Sequence, residues 1–303
     1  MRWLITGANG FLGFSVAEYL VEAGNSVIGL TRQARLPSWF PRLEYPPSPE
    51  SLAEVIDVEH PECILHAAGT ASVGDSWDTP AQDFLDSVVT WQELLEASRR
   101  SRLKPKLFFL SSAAVFGDPD HLPVAEDAAR RPISPYGFHK LVCEQLAEEY
   151  SSLWQIPVVI VRLFSVFGPR QRRLIVWELF EQIRSSAESI RLQGTGLEER
   201  DYLAVCDVAK ALDLLAKQRL SNGLQTFNVA SGKSLRVLDL IEILQQLTGE
   251  QKPVMRGCEV RQGDPMHWRA DNRRLRAQLP NWRPGNIEEG LAECLSAWKA
   301  DAS

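Results

Sequence analysis

The sequence predicts an α/β fold built on a doubly wound parallel sheet, with a smaller C-terminal α/β lobe. Short apolar runs alternate with amphipathic helical stretches through the first half of the 303-residue chain. This order is typical of parallel strands joined by right-handed helical crossovers. A glycine-rich turn also joins the first apolar run directly to the first helical stretch. Together these observations indicate a Rossmann-type sheet.

The elements of the first half follow from this alternation. Each predicted strand is a short apolar run of the kind that is buried on both faces of a sheet. The predicted strands are residues 3–6, 26–31, 62–67, 106–111 and 157–163. The helices between them carry apolar residues at helical spacing and are residues 11–23, 81–98 and 135–153. Gly24 and Asn25 end the first helix, because both residue types tolerate a positive φ.

The pattern loosens after Gly168, where loops rich in proline, arginine and glycine become common. Ser234 is expected to cap a helix that runs to residue 247 and ends at Gly249. The other predicted elements are strands at residues 190–192 and 224–229 and helices at residues 207–220, 271–279 and 287–298. We therefore expect a dinucleotide-binding Rossmann domain at residues 1–168, with parts of 205–232 returning to it. Residues 169–303 are expected to form mainly a substrate-binding lobe.

Composition narrows the function classes. A formal net charge of −6 without a long run of either sign argues against a nucleic-acid binder, which needs a basic face for phosphates. The five widely spaced cysteines predict reduced thiols and no metal site. No apolar stretch is long enough to cross a bilayer, and the N-terminus resembles no targeting segment. We expect a cytoplasmic protein.

The glycine turn predicts a dinucleotide site. Gly7, Gly10 and Gly13 stand between the first strand and the first helix. Glycines there allow a tight turn, a close approach of backbone to pyrophosphate, and a helix N-terminus that points N–H groups at the anion. The residues expected to contact the cofactor here are Gly7, Asn9, Gly10, Phe11, Leu12 and Gly13.

The end of the second strand bears on the choice between NAD and NADP. A fold selective for NAD usually carries an acidic residue there, which holds the adenine ribose hydroxyls. Thr31 and Arg32 occupy this place, and no carboxylate stands beside them. Because a guanidinium pairs well with phosphate, Arg32 modestly favours NADP, although either cofactor remains possible.

A tyrosine and a lysine four residues apart indicate the chemistry. Tyr136 and Lys140 share one face at the start of a predicted helix. A tyrosine is a poor base at neutral pH, but nearby positive charge favours a phenolate that can exchange a proton with a sugar or alcohol oxygen. Ser112 follows a buried strand, at the sheet edge where ligands bind, and its hydroxyl can bond the same oxygen.

With these motifs, nearly the whole chain resembles the extended short-chain dehydrogenase/reductases of the NAD(P)-dependent nucleotide-sugar epimerase/dehydratase family. Further motifs carry the likeness: His66-Ala67-Ala68-Gly69, Ser134-Pro135-Tyr136, Arg162 to Arg170, Gly194-Thr195-Gly196, Arg200-Asp201-Tyr202, Asp207-Val208-Ala209 and Arg261-Gln262-Gly263-Asp264.

The resemblance implies roles for these residues. Ser112, Tyr136 and Lys140 would be the catalytic trio, with Tyr136 and Lys140 also contacting the cofactor. His66, Ala67, Ala68 and Gly69 would line the cofactor cleft. The nucleotide-diphosphate sugar would be bound by Ser72, Ser112, Ser165, Arg200 and Arg261, and the two arginines would clasp the diphosphate. A homodimer would form through helices resembling residues 81–98 and 135–153.

Departures from the family pattern limit the reaction. Ala113 and Ala114 stand where dehydratases and decarboxylases of the family carry acidic residues, so neither activity is expected. Ser165 replaces a common asparagine, which makes substrate anchoring unusual. The reaction that remains compatible with the sequence is hydride transfer at the sugar C4 without dehydration. An epimerase ranks first and an NADPH-dependent 4-keto-6-deoxy sugar reductase second, followed by a non-catalytic NADP-binding sensor.

Overall fold

The central sheet is entirely parallel. The computed structural model describes residues 1–32, 36–46, 48–219, 223–257 and 265–301. Within these ranges, seven strands form the main sheet in the order β3-β2-β1-β4-β5-β6-β11. These strands are β1 (Arg2–Thr6), β2 (Ser26–Thr31), β3 (Arg42–Glu44), β4 (Cys63–His66), β5 (Lys106–Ser112), β6 (Val158–Leu163) and β11 (Leu224–Val229). The predicted Rossmann-type doubly wound sheet is confirmed.

Short strands outside this sheet pair in twos. They are β7 (Ser165–Phe167), β8 (Ile190–Arg191), β9 (Glu199–Arg200), β10 (Tyr202–Ala204), β12 (Leu235–Arg236) and β13 (Val254–Met255). β7 pairs with β10, β9 with β12, and β8 with β13. These pairs belong to the part of the chain that follows β6.

The helices are α1 (Phe11–Glu22), α2 (Pro49–Glu59), α3 (Val73–Asp78), α4 (Pro80–Phe84), α5 (Thr90–Arg100), α6 (Pro135–Trp154), α7 (Ile175–Arg184), α8 (Val205–Lys217), α9 (Val237–Thr248), α10 (Arg273–Gln278) and α11 (Ile287–Asp301). A π-helical turn, Leu85–Val89, joins α4 to α5, and a 3₁₀ turn, Ala113–Phe116, follows β5. No described helix combines the length and apolarity that a membrane span needs.

Alternation along the strands builds two apolar layers. On β5, Phe108 and Leu110 pack on the side of α1 and α8, whereas Leu107 and Phe109 pack on the side of α2, α5 and α6. Both faces are therefore covered, which explains the continuous apolar runs in the sequence. A separate cluster, built on Phe180 and Trp298, joins α7, α9 and α11. The division at residues 168 and 169 stays a prediction.

Two predicted elements differ from the structure. Ser234 does not cap a helix, because Leu235 and Arg236 pair with β9 and the helix begins at Val237. The Ser234 hydroxyl donates to the Glu199 carboxylate instead, at 3.1 Å. The predicted helix at residues 81–98 is interrupted by the π-helical turn.

Candidate active site

The glycine turn packs too closely for side chains. Gly7 has a φ of 64°, and a Cβ atom there would lie 2.5 Å from the Ala68 nitrogen. A Cβ atom on Gly13 would lie 2.4 Å from the Gly7 carbonyl oxygen. Gly10 precedes α1 without a side-chain cap, and the first turn of α1 carries no acidic residue. The turn therefore fits a pyrophosphate, which needs close backbone and a helix N-terminus free of negative charge.

A cavity of about 650 Å³ opens beside this turn. The predicted cofactor residues that line it are Gly7, Asn9, Gly10, Thr31, Arg32, Ala67, Ala68 and Gly69. The predicted cofactor residues that lie outside its lining are Phe11, Leu12, Gly13, His66, Tyr136 and Lys140. Residues of the sheet edge, of the glycine turn and of the loop after β4 thus meet around one cleft, as expected at the carboxyl ends of parallel strands.

The helical segment after α3 forms a wall of this cavity that no sequence motif indicates. Asp86 lies on the π-helical turn and Glu93 on α5, and both line the cavity together with Tyr45. Asp86 forms an ion pair with Arg32, with 3.6 Å between the guanidinium and the carboxylate. The amphipathic pattern of residues 81–98 predicts which side chains face away from the core, but it does not predict that these side chains line the cavity.

His66 is held as a structural residue. Its Nδ1 atom lies 2.9 Å from the Thr6 hydroxyl, and its ring packs against Trp91 and Phe109. Burial, with a smaller contribution from the positive charge of Lys140, lowers the pKa of His66 to about 3. The imidazole is therefore neutral at ordinary pH, and its buried Nε2 atom has no hydrogen-bond partner within the described residues. This packed state excludes a general-base role near neutral pH.

The end of β5 directs two adjacent serines differently. The Ser111 hydroxyl points into the protein and donates to the buried Glu144 carboxylate at 2.7 Å. The half-buried Ser112 lies at the strand's carboxyl end, where its hydroxyl accepts a hydrogen bond from the Ala114 nitrogen at 3.1 Å. Of the two serines, Ser112 is therefore the one placed at the ligand-binding edge.

Helix α6 brings Tyr136 and Lys140 against this strand end. Ser134 caps the helix by accepting a hydrogen bond from the Gly137 nitrogen at 3.2 Å. A Cβ atom on Gly137 would lie 2.6 Å from the Ala114 carbonyl oxygen, so only glycine allows this approach. The Lys140 ammonium lies 5.6 Å from the centre of the Tyr136 ring. The predicted trio thus comes from two elements in direct contact.

An apolar cluster that includes Tyr136 occupies the place where a carboxylate would be needed for dehydration. Ala113 is fully buried and Ala114 nearly so, and both pack with Tyr136 and Trp268. The indole nitrogen of Trp268 donates to the Gly117 carbonyl oxygen at 3.2 Å, which anchors the ring. No acid stands at the two alanine positions to assist loss of a sugar hydroxyl.

Arg200 contacts this cluster through Trp268. Its guanidinium lies 5.3 Å from the centre of a Trp268 ring and donates to the Glu199 carbonyl oxygen at 2.7 Å. Arg200 is 7% exposed, which is low for an arginine and gives it a defined position. Trp268, which sequence analysis missed, therefore connects the predicted diphosphate arginine to the predicted catalytic residues.

The buried Asp201 carboxylate holds the Arg200 segment in place. It accepts hydrogen bonds from the Ser231 nitrogen and hydroxyl and from the nitrogens of Gly232 and Ala270. Burial raises the pKa of Asp201 to about 6 despite these donors. Asp201 lies between β9 and β10, and these bonds connect it to the residues that follow β11 and to those that precede α10.

The remaining predicted substrate residues occupy separate places. The Ser165 nitrogen donates to the Asp201 carbonyl oxygen at 3.0 Å, and Ser165 pairs with Tyr202 on β10, two residues after Arg200. Ser72 caps α3 by accepting a hydrogen bond from the Asp75 nitrogen. Arg261 lies outside the described residues.

Comparison with known proteins agrees with this arrangement. Residues 3–230 match the model of the NAD dependent epimerase/dehydratase family. The chain is 28% identical to the UDP-glucose 4-epimerase of Azospirillum brasilense, over 98% of this chain and 92% of that one.

Solved structures are similar over the full length. MoeE5 in complex with UDP-glucose and NAD superposes with a TM-score of 0.89 at 27% identity, covering 100% of both chains. The UDP-glucose 4-epimerase of Thermotoga maritima, solved with UDP-glucose, gives a TM-score of 0.88 at 26% identity, again over 100% of both chains. The chain belongs to the NAD dependent epimerase/dehydratase family.

Proposed function

We propose that this protein is an NAD(P)-dependent epimerase that inverts C4 of a UDP-hexose. The observation that carries the proposal is the contact between Gly137 and the Ala114 carbonyl. It sets Tyr136 and Lys140 beside the strand end of Ser112, and the apolar cluster around Tyr136 lacks the acid of a dehydratase. The relatives named as UDP-glucose 4-epimerases support the UDP-hexose substrate.

In the proposed reaction Tyr136 acts as both the base and the acid for one proton. Gly7, Gly10 and Gly13 would hold the dinucleotide, which would supply reversible hydride transfer with either face of the sugar C4. Tyr136 takes the proton of the 4-hydroxyl in the first half and gives it back in the second. Ser112 hydrogen-bonds the same oxygen, and Lys140 places its positive charge 5.6 Å from the centre of the Tyr136 ring.

Substrate binding is assigned chiefly to Arg200 and Trp268, which lie outside the lining of the cofactor cavity. Arg200 binds the diphosphate through its planar guanidinium, and Trp268 keeps that guanidinium oriented by stacking. Ser72 and Ser165 contribute further hydroxyls, and Arg261 is proposed as the second diphosphate arginine. Ala113 and Ala114 keep the reacting ring clear of carboxylates, so oxidation at C4 is not followed by elimination.

A homodimer is proposed through the helices that carry the site. α4 and α6 expose Phe84, Phe138 and Leu153, which are 40%, 54% and 65% accessible in the single chain. A second copy covering these apolar side chains would remove them from water, which favours association. The cytoplasmic location stays a prediction.

The assay follows interconversion of UDP-glucose and UDP-galactose, with and without added NAD. We expect equilibration of the two sugars without net consumption of NAD, because the hydride returns to the same substrate. Stoichiometric oxidation of NADPH by a 4-keto-6-deoxy sugar nucleotide, without epimerisation, would contradict the proposal and support the reductase. The comparisons do not favour that reductase, and they do not favour NADP over NAD.

A further inference from the structure

The carboxylate of Asp86 faces the residue that follows β2. Its Oδ1 atom lies 3.6 Å from the Arg32 guanidinium, and its Oδ2 atom accepts a hydrogen bond from the Gln82 side chain at 2.9 Å. All three residues line the 650 Å³ cavity beside the glycine turn. The carboxylate is therefore oriented from two sides, at the end of the cavity where β2 ends.

That end of a doubly wound sheet meets the adenine ribose. A carboxylate at the end of the second strand holds the ribose 2′-hydroxyl of NAD, whereas an arginine nearby accommodates the 2′-phosphate of NADP. Here β2 ends at Thr31 and is followed by Arg32, so no carboxylate stands at its end. The carboxylate comes instead from Asp86, on the helical segment across the cavity.

The charge around Arg32 is unfavourable for a phosphate. The charged side chains of the described lining are Arg32, Asp86 and Glu93, so two negative charges outweigh one positive charge. Burial raises the pKa of Glu93 while the charge of Arg32 lowers it, which agrees with the closeness of the two groups. A 2′-phosphate would have to displace Asp86 from Arg32 and remain beside both carboxylates, whereas a 2′-hydroxyl needs only an acceptor.

We propose that Asp86 selects NAD over NADP, by accepting a hydrogen bond from the adenine ribose and by engaging Arg32 so that it does not capture a 2′-phosphate. Asp86 thereby replaces the acidic residue that β2 lacks. Arg32 alone, taken from the sequence, favours NADP; its pairing with Asp86 reverses that inference. The assignment rests on the proposed function for the identity of the site.

The test is direct binding of NADH and NADPH, followed by the fluorescence of each, to protein freed of bound nucleotide. The wild type is expected to bind NADH at least about tenfold more tightly than NADPH. Asp86→Asn keeps the shape of the side chain but removes its negative charge. It should lower the preference for NADH over NADPH, expressed as the ratio of the two dissociation constants, by about tenfold, because NADPH binds more tightly and NADH more weakly. Asp239→Asn, in a surface ion pair with Arg236, is the matched control and should leave the ratio unchanged.

Arg32→Ala separates the two roles of Asp86. In the Arg32→Ala background, Asp86→Asn should still weaken NADH but should give little gain in NADPH affinity, because no guanidinium is released. An Asp86→Asn ratio within twofold of the wild type, or a wild type that prefers NADPH, would overturn the inference. Since binding needs no turnover, either result leaves the epimerase assay standing; a protein that binds neither dinucleotide would overturn both.

Discussion

The ammonium group of Lys140 donates a 3.1 Å hydrogen bond to the carbonyl oxygen of Leu110, two residues before Ser112. The same nitrogen lies 5.2 Å from the centre of the Phe109 ring. Lys140 is 5% exposed, so its long side chain holds one position rather than sampling solvent. The bond joins α6 to β5 at the point where both present their proposed catalytic residues.

Lys140→Met tests whether this lysine serves chemistry as well as packing. We expect kcat to fall at least about 100-fold, because the positive charge beside the tyrosine is lost. The free energy of unfolding should fall by about 1 kcal/mol with the lost hydrogen bond. Lys106→Met is the control: Lys106 begins β5 and donates to three carbonyls at the end of α8. It should lower stability without lowering kcat, and equal losses of kcat in both variants would contradict the assignment.

Tyr136→Phe removes one oxygen from the proposed proton path. Folding and dinucleotide binding should persist, because the ring keeps its packing against Ala114 and Trp268. Turnover should fall by about 100- to 10,000-fold, the usual contribution of a positioned acid or base. Tyr150→Phe, on the same helix, serves as the control and should remain active. Epimerisation by Tyr136→Phe at near-normal rates would exclude Tyr136 as the proton carrier.

The sequence predicts the sheet well because both of its faces are buried. β5 and β6 each contain a continuous apolar run, at residues 107–110 and 158–161, and the predicted bounds of each strand differ from the structure by one residue at one end. Ser234 shows where local reasoning fails: serine is a good cap, but pairing of Leu235 and Arg236 with β9 delays the helix. Strand pairing with β9 therefore outweighs the local preference of serine for a helix N-cap. The start of this helix depends on Glu199 and Arg200, which are distant in sequence.

Some residues of the candidate site could be predicted from the sequence and others could not. Motif spacing is enough to identify Tyr136 and Lys140, since four residues on one helix fix a shared face. Asp86 and Trp268 were missed because neither belongs to a motif. Asp86 meets Arg32 across 54 positions of chain, and Trp268 meets Arg200 across 68. Such pairs become visible only when the packing of separate elements is known.

Arg200→Gln should weaken substrate binding more than chemistry. A lost charge-assisted contact to diphosphate should raise KM by about 10- to 100-fold, while kcat changes far less. Inhibition by free UDP should weaken in parallel, because UDP carries the same diphosphate. Arg191→Gln, at an exposed position on β8, is the matched control and should leave both constants unchanged. A fall in kcat at constant KM would place Arg200 in the chemical step instead.

His66 should resist protonation far below the ordinary pKa of a histidine. Its pKa falls from 6.5 to about 3 in the folded chain, chiefly through burial. The unfolded chain therefore binds more protons between these values, and stability falls as the pH drops through this window. From pH 7 to pH 5 the loss from this residue amounts to about 2 kcal/mol of unfolding free energy.

Histidine-selective NMR measures the protonation of His66 directly. The chain holds five histidines, so the spectrum contains few ring signals to assign. The His66 ring signals should stay those of a neutral imidazole down to pH 5, and His66→Gln identifies them. Chemical unfolding at pH 7 and pH 5 should show the stability loss in the wild type and a smaller loss in His66→Gln. His121→Gln, in an exposed loop, should keep the wild-type loss. A His66 signal that titrates near pH 6.5 would show that the ring is solvated, and its neutral, packed role beside Thr6 would be wrong.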